Sequence, residues 1–141
     1  MDEEVKREII LEHYQNPLNR KRMDDKDYIK VNSRNSSCID NLDFYVKIED
    51  NIIKDITFEG EACAISISST SIMIENLIGK TLQEAKEYIN NFDNMLHEKD
   101  YNKELLKDAL VYDEIYKQNS RITCAYLPYK GITEAIKEFK E

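Results

Sequence analysis

Residues 42–59 constrain the fold more than any other part of this chain. From Leu42 to Ile48, apolar residues at every second position alternate with polar or amphipathic ones, which is typical of a strand with one buried face. Glu49-Asp50-Asn51 predicts a turn, after which residues 52–59 return as a partner strand. Because two adjacent strands with so tight a connection pair antiparallel, this segment predicts a β-hairpin.

A helix and a short strand are predicted ahead of the hairpin. Apolar residues from Val5 to Tyr14 recur at near-helical spacing, with charged residues between them. Asn16-Pro17 ends this helix, because the residue before a proline is pushed out of the helical region. After a charged connector, residues 28–31 form a candidate strand.

The segment after the hairpin begins with an ambiguous stretch. Residues 62–69 alternate as a strand does, but their continuation into Ile72 and Leu77 suits a helix that ends at Gly79. Thr81 and Glu84 then have the spacing of a capping box, in which each side chain satisfies a backbone donor of the other. The capping box predicts the start of a helix that reaches about residue 95.

Two more helices complete the prediction. Residues 103–116 are predicted as one of them. The other runs to Lys140 and begins just after Cys124, since Pro128 is tolerated only near a first helical turn. The order of one helix, a small antiparallel sheet of about three strands and several helices predicts an α+β fold, with residues 1–141 as a single domain.

Composition and charge exclude several classes of function. The 28 acidic residues outnumber the 20 basic ones and give a net charge of −8, which argues against general nucleic-acid binding because affinity for phosphates depends on Lys and Arg. No apolar run approaches the roughly 18 residues of a membrane span. The charged opening lacks the apolar stretch of a signal peptide, and a cytoplasmic location is expected. The chain has only three glycines, and none of its segments has the pattern of a glycine-rich phosphate-binding loop.

The three cysteines are the main candidates for chemistry. An odd number without an export signal argues against a disulfide framework, so each is a small core residue, a metal ligand or a reactive thiol. Cys38 and Asp40 precede a strand, Cys63 lies at a possible helix start, and Cys124 lies just ahead of the last helix. At a helix start the dipole favours a thiolate. This boundary placement favours a site over core filling.

Residue types alone leave the kind of site open. Three thiolates and one carboxylate would make a closed tetrahedral zinc site, but separations of 25 and 61 positions between the cysteines are not those of a zinc finger. The residues by themselves indicate a zinc site or a redox site. His13 and His97 are isolated, and a lone histidine is more often structural or solvated than a ligand.

Four motifs together resemble a known family. In chain order they correspond to its His-Tyr-x-Asn-Pro opening, its Cys-Gly-Asp motif, its Phe-x-Gly-x-Gly-Cys-x-Ile-Ser segment and the segment around its third cysteine. The family is that of the iron–sulfur scaffolds IscU, SufU and the N-terminal domain of NifU. The corresponding segments here are His13-Tyr14-Gln15-Asn16-Pro17, Cys38-Ile39-Asp40, Phe58-Glu59-Gly60-Glu61-Ala62-Cys63-Ala64-Ile65-Ser66 and Arg121-Ile122-Thr123-Cys124.

Two details are similar to the SufU branch of this family. Thr123 stands where IscU-type scaffolds carry a histidine just before the third cysteine. The long interval between Cys63 and Cys124, with an extra segment from about residue 93 to 116, resembles the SufU insertion. The family's antiparallel sheet packed on helices agrees with the α+β prediction, and it resolves the stretch around Cys63 as a helix start.

The resemblance implies a function and a site. SufU-like proteins hold zinc, here by Cys38, Asp40, Cys63 and Cys124, and accept persulfide sulfur from a pyridoxal-phosphate-dependent cysteine desulfurase of the SufS type. It implies that Cys38 is the acceptor, that Arg121 is a candidate for docking the partner, and that the pyridoxal phosphate belongs to that partner. Other iron–sulfur assembly proteins are further expected partners, while nucleic acid and membranes are not.

Two departures from the family pattern keep other hypotheses open. Ile39 and Ala62 replace family glycines, and a β-branched residue at position 39 resists the backbone geometries that glycine allows. One alternative is a non-enzymatic scaffold that assembles a transient iron–sulfur cluster on the same ligands. Another is a structural zinc domain that has lost transfer activity, which Ile39 makes conceivable.

Overall fold

A computed structural model describes residues 1–36 and 39–139 of the chain. Its elements follow the predicted order of a helix, a three-stranded sheet and then helices, which confirms the α+β fold. No helix among the described residues combines the length and apolar character needed to cross a membrane. The elements are α1 (Glu3–Gln15), β1 (Ile29–Arg34), β2 (Asn41–Glu49), β3 (Ile52–Glu61), α2 (Ala64–Leu77), α3 (Leu82–Leu96), α4 (Lys103–Leu106), two 3₁₀ segments (Lys107–Tyr112 and Ile115–Lys117) and α5 (Asn119–Glu138).

The sheet is antiparallel with the strand order β1-β2-β3. Phe44 at its centre pairs with Val31 on one side and with Phe58 on the other, and all three are buried. Asp50 and Asn51 both have positive φ (54° and 59°), the conformation of a type I′ hairpin turn, so the predicted hairpin is confirmed. The predicted strand at 28–31 is present, but it extends three residues further along the chain.

Helices α2 and α5 pack on one face of the sheet and enclose most of the core. Gly131 in α5 faces Phe44, and a Cβ at this position would lie 2.8 Å from Phe44 Cδ2. Such a contact is far below van der Waals distance, so the helix approaches the strand this closely only because residue 131 has no side chain.

Helix α1 ends at Gln15 with Asn16 as its C-cap, as the proline predicted, but its apolar face is less buried than expected. Val5 and Tyr14 are 40% and 44% exposed, whereas Lys6 is buried. The Lys6 ammonium lies 2.6 Å from Asp113 Oδ1 and thereby joins α1 to the 3₁₀ region. The helix is therefore attached by buried charge pairing as well as by apolar contact.

The predicted continuous helix over residues 103–116 is wrong. Helix α4 has only four residues, Lys107 has a positive φ of 48°, and 3₁₀ turns follow. The reason is visible in the burial pattern, because the inward-facing residues recur every third position and a 3₁₀ helix has three residues per turn. Leu106, Ala109, Tyr112 and Ile115 are buried at this spacing, and Val111 is buried beside Tyr112.

The predicted start of the last helix is also wrong. Helix α5 begins at Asn119, so Cys124 lies in its second turn and Pro128 lies in its interior. Proline has no backbone N–H to donate four residues back, which normally disfavours such a position. Here the freed carbonyl oxygen of Cys124 accepts a hydrogen bond from Ser66 Oγ (3.1 Å), so the proline is tolerated. The predicted end at Lys140 lies outside the described residues.

Candidate metal centre

Three of the four predicted ligands converge at one point. The ligand atoms of Asp40, Cys63 and Cys124 all lie within 4.8 Å of one another. Asp40 and Cys124 are buried, with exposures of 1% and 6%, and Cys63 is half-buried. The fourth predicted ligand, Cys38, lies outside the described residues, so its role as a ligand stays a prediction.

The hairpin register brings Asp40 close to Cys63. Asn41, the first residue of β2, pairs with Glu61 at the end of β3, so the residues flanking the two strand ends meet. Gly60 allows this close pairing, because its φ is +122° and a Cβ there would lie 2.3 Å from the carbonyl oxygen of Asn41. The site is thus built on the open end of the hairpin.

Helix α2 begins at the site, as the resemblance predicted. Cys63 is its N-cap, and the thiol accepts a hydrogen bond from the backbone N–H of Ser66 (3.5 Å). The backbone N–H of Cys63 donates to Asp40 Oδ1 at 2.7 Å. The hydroxyl of Ser66 donates to Asp40 Oδ2 at 2.6 Å. Asp40 is therefore held through both of its oxygens by the first turn of α2.

Cys124 reaches the site from the second turn of α5. The predicted effect of the helix dipole on Cys124 is wrong, because Cys124 follows the helix start by five positions and the dipole acts within the first turn. Burial, together with the nearby Cys63 and Asp40, raises the pKa of the Cys124 thiol well above its ordinary value. A nearby cation would reverse this effect, because metal binding favours the thiolate.

Ile39 and Arg121 lie beside these ligands. Ile39 is 70% exposed, so the residue that replaces the family glycine presents an apolar side chain at the surface. Arg121 is exposed in the first turn of α5, and its side chain has no hydrogen bond or ion pair with any residue in the described part of the chain. Its role in partner docking stays a prediction.

The described donor set fits a zinc ion. Ligand atoms bound to tetrahedral zinc at about 2.0–2.3 Å lie roughly 3.3–3.8 Å from one another, and Cys63 Sγ lies 3.7 Å from Asp40 Oδ2. Thiolates and a carboxylate are ordinary zinc ligands. Asp40, Cys63 and Cys124 would then supply three ligands, and one further ligand would close the site.

His13 lies away from this centre. His13 Nδ1 is 2.7 Å from Ser71 Oγ and His13 Nε2 is 3.8 Å from Glu75, in a cluster that includes Asp108. Glu75 is twelve residues beyond Cys63 on α2, about 18 Å along the helix axis. His13 therefore connects α1 to α2 through contacts with Ser71 and Glu75, as expected for a structural histidine.

Sequence reasoning missed Ser66 and Pro128 at this site. Ser66 is the last residue of the Phe58–Ser66 motif, and its spacing of three residues from Cys63 is the signal that it lies in the first turn of the helix that Cys63 caps. Pro128 was used only to place a helix start. Its effect on the carbonyl oxygen of Cys124 depends on a contact between two helices, which sequence spacing does not reveal.

Comparison with known proteins identifies the family to which this chain belongs. Residues 5–141 match the family described as the NifU-like N-terminal domain, and the chain belongs to that family. The predicted family is thus confirmed, and the chain is a member of the iron–sulfur cluster assembly scaffold family.

Individual relatives include both scaffold and transferase names. The iron–sulfur cluster assembly scaffold protein IscU of Thermotoga maritima is 32% identical over 131 residues, covering 93% of this chain and 92% of the relative. The zinc-dependent sulfurtransferase SufU of Bacillus subtilis is also 32% identical over 131 residues, covering 92% and 88%.

Solved structures give the same result. A crystal structure from Fervidobacterium islandicum AW-1, called a putative iron–sulfur cluster assembly scaffold protein for the SUF system, superposes with a TM-score of 0.87 at 31% identity, covering 92% of this chain and 94% of that one. The N-terminal part of a NifU-like protein from Brucella abortus, at 22% identity, shares the fold with a TM-score of 0.83 over 92% of this chain and 90% of that chain.

Proposed function

We propose that this protein is a zinc-dependent sulfur acceptor that receives persulfide sulfur from a SufS-type cysteine desulfurase for iron–sulfur cluster assembly. The observation that carries the proposal is the convergence of Asp40, Cys63 and Cys124, residues from three separate elements, within 4.8 Å. The similarity to a relative named as a zinc-dependent sulfurtransferase supports it. In this proposal Cys38 is both the fourth ligand and the sulfur acceptor.

Transfer of the persulfide sulfur to Cys38 needs no external oxidant or reductant. The Cys38 thiolate attacks the outer sulfur of the desulfurase's persulfide and forms a new S–S bond. The partner's own S–S bond breaks, and its cysteine leaves as a thiolate. A bound zinc ion would favour the thiolate forms of the cysteines, and the thiolate is the competent nucleophile. Cys38 must leave the metal for this step, and a group from the partner would take its place.

The remaining ligands suit a site that must survive the loss of one ligand. Asp40 is hydrogen-bonded through both oxygens to the first turn of α2, and Cys63 is part of that turn. Cys124 is buried in a helix of 20 residues. These three groups are therefore fixed to regular elements. Exposed Arg121, one turn before Cys124, is a proposed docking contact for the desulfurase or a stabiliser of thiolate charge.

A second candidate is a scaffold that assembles a transient iron–sulfur cluster on the same ligands. The IscU-named relative at the same 32% identity favours it. Thr123 favours zinc, because the scaffolds of the IscU type carry a histidine at that position, whereas the hydroxyl of Thr123 accepts a hydrogen bond from Asn35 (3.0 Å). Metal analysis separates the two, since a colourless protein with about one zinc per chain counts against a resident cluster.

Persulfide mapping tests the proposal. The protein is incubated with its cognate desulfurase and cysteine, alkylated, and each cysteine-containing peptide is examined by mass spectrometry. We expect the persulfide on Cys38, together with stimulation of the desulfurase, and we expect both to be lost in Cys38→Ala. An unlabelled wild-type protein that also fails to stimulate its desulfurase would contradict the transfer role.

A further inference from the structure

Pro128 leaves a backbone carbonyl at the candidate metal centre without its usual helical hydrogen-bond donor. In the interior of α5 it cannot donate an N–H to the carbonyl oxygen four residues earlier, which belongs to Cys124. That carbonyl oxygen belongs to a buried residue, and a buried acceptor without a donor is destabilising. The backbone of a predicted metal ligand therefore depends on a donor from another element.

Ser66 supplies this donor through its one hydroxyl proton, which it shares between the carbonyl oxygen of Cys124 and Asp40 Oδ2 in a three-centre hydrogen bond. Its side chain is fully buried, and its Oγ lies 3.1 Å from the carbonyl oxygen of Cys124. The same Oγ lies 2.6 Å from Asp40 Oδ2 and 3.4 Å from Cys63 Sγ. The hydroxyl oxygen of Ser66 therefore contacts all three described residues of the site. Asp40 directly precedes strand β2, Cys63 caps helix α2, and Cys124 lies in helix α5.

We propose that Ser66 is a positioning residue that, together with Pro128, sets the orientation of Asp40 and Cys124 for metal binding. The inference rests on the proposed function only in that these residues are taken as metal ligands. Ser66 ties the carboxylate of Asp40 to the first turn of α2 and ties the backbone of Cys124 to the same turn. Hydrogen bonds of this kind from outside the ligand shell commonly change metal affinity by about 10–100-fold.

Helix α2 offers a matched control. Ser69 is also fully buried, and its hydroxyl donates to the carbonyl oxygen of Ala125 on α5 at 2.6 Å. Ser69 therefore makes the same kind of bond between the same two helices, next to the carbonyl that Ser66 binds. Within the described part of the chain its hydroxyl makes no hydrogen bond to Asp40, Cys63 or the Cys124 side chain, so Ser69→Ala removes a bond between the same helices without removing a ligand contact.

The first experiment measures metal affinity and geometry. Wild type, Ser66→Ala and Ser69→Ala are titrated with Zn²⁺ against a competing chelator and with Co²⁺, whose visible spectrum reports coordination geometry. We expect Ser66→Ala to weaken Zn²⁺ binding about 10–100-fold and to change the Co²⁺ spectrum, whereas Ser69→Ala keeps both. Equal affinities and equal spectra in the two variants would overturn the positioning role.

The second experiment is a double-mutant cycle in metal-free protein. Pro128→Ala restores an N–H that can bond the Cys124 carbonyl, so the loss of unfolding free energy caused by Ser66→Ala should be smaller in the Pro128→Ala background. The loss of metal affinity caused by Ser66→Ala should persist there, because Asp40 still lacks its hydroxyl donor. Stability losses that are strictly additive would overturn the link between the two residues.

The two experiments also separate this inference from the proposed function. A wild-type protein that binds neither Zn²⁺ nor Co²⁺ at a defined site would contradict the proposed function and the positioning of ligands together. A protein that binds metal with Ser66-dependent affinity but accepts no persulfide would contradict sulfur transfer alone. The stability cycle decides the coupling of Ser66 to Pro128 in either case.

Discussion

Replacing Cys63 with serine should abolish zinc binding at the candidate metal centre while leaving the fold intact. Cys63 caps helix α2 with its side chain, and serine is a preferred N-cap residue that would accept the same backbone hydrogen bond. A serine hydroxyl does not ionise near neutral pH, so it cannot replace a thiolate as a zinc ligand. We expect bound zinc to fall from about one per chain to less than about a tenth.

Elemental analysis of purified protein, with denaturant unfolding of the metal-stripped forms, measures both parts of this prediction. The metal-free variant should unfold within about 0.5 kcal/mol of metal-free wild type. Asp43→Asn is the control, because it removes a carboxylate near Asp40 that contacts Asn32 rather than the site. Full zinc occupancy in Cys63→Ser would show that the thiol is a capping residue and not a ligand.

Replacing Gly60 with alanine should cost about 3 kcal/mol or more of unfolding free energy. Two effects add here, because a φ of +122° is unfavourable for any residue with a Cβ and the new Cβ would lie 2.3 Å from the carbonyl oxygen of Asn41. The neighbouring atom is backbone in a paired strand, so it cannot move without disturbing the hairpin. Since that pairing also brings Asp40 to Cys63, metal affinity should fall with stability.

Gly79→Ala is the matched control for this second prediction. Gly79 also has a positive φ, of +93°, but a Cβ there would meet nothing within 4 Å. It therefore reports backbone strain without a clash, and we expect a loss of about 1 kcal/mol. Urea unfolding of both variants without metal gives the comparison. Equal losses at Gly60 and Gly79 would show that the close approach to Asn41 contributes nothing.

Local sequence patterns correctly predicted the sheet, the end of α1 at Asn16 and the start of α3 at Thr81. Interactions between residues close in the sequence determine each of these features. Alternation along β2 and the Asp50-Asn51 turn specify the hairpin without help from distant residues. The predicted capping box is present, with Thr81 Oγ1 accepting from the Glu84 N–H at 3.1 Å. In such cases the backbone donors are satisfied within a few residues, so short stretches of sequence contain the necessary information.

The errors arose where contacts between elements decide the backbone. Residues 103–116 contain enough apolar residues for an α-helix, but four of their five buried residues recur at every third position, and the sequence pattern does not reveal the core against which they pack. Pro128 should not lie inside a helix by local rules, and it does so because Ser66 on another helix bonds the freed carbonyl. Both cases are tertiary effects that override local preference.

The site was predicted from motifs rather than from spacing. Separations of 25 and 61 positions between the cysteines give only a weak signal that they meet. Their placement at element boundaries favoured a site, and the resemblance to a family then assigned Cys38, Asp40, Cys63 and Cys124 to one metal. The structure brings three of them within 4.8 Å, by means of the hairpin register and the two helices packed beside it. Their role as metal ligands remains a prediction, as does the part of Cys38.

X-ray absorption at the zinc edge of the purified protein tests the central claim most directly, because it counts the atoms bound to the metal. Binding by Cys38, Asp40, Cys63 and Cys124 predicts about three sulfur neighbours near 2.3 Å and one oxygen neighbour near 2.0 Å. A spectrum with no sulfur neighbours, or with only one, would contradict the assignment of this site.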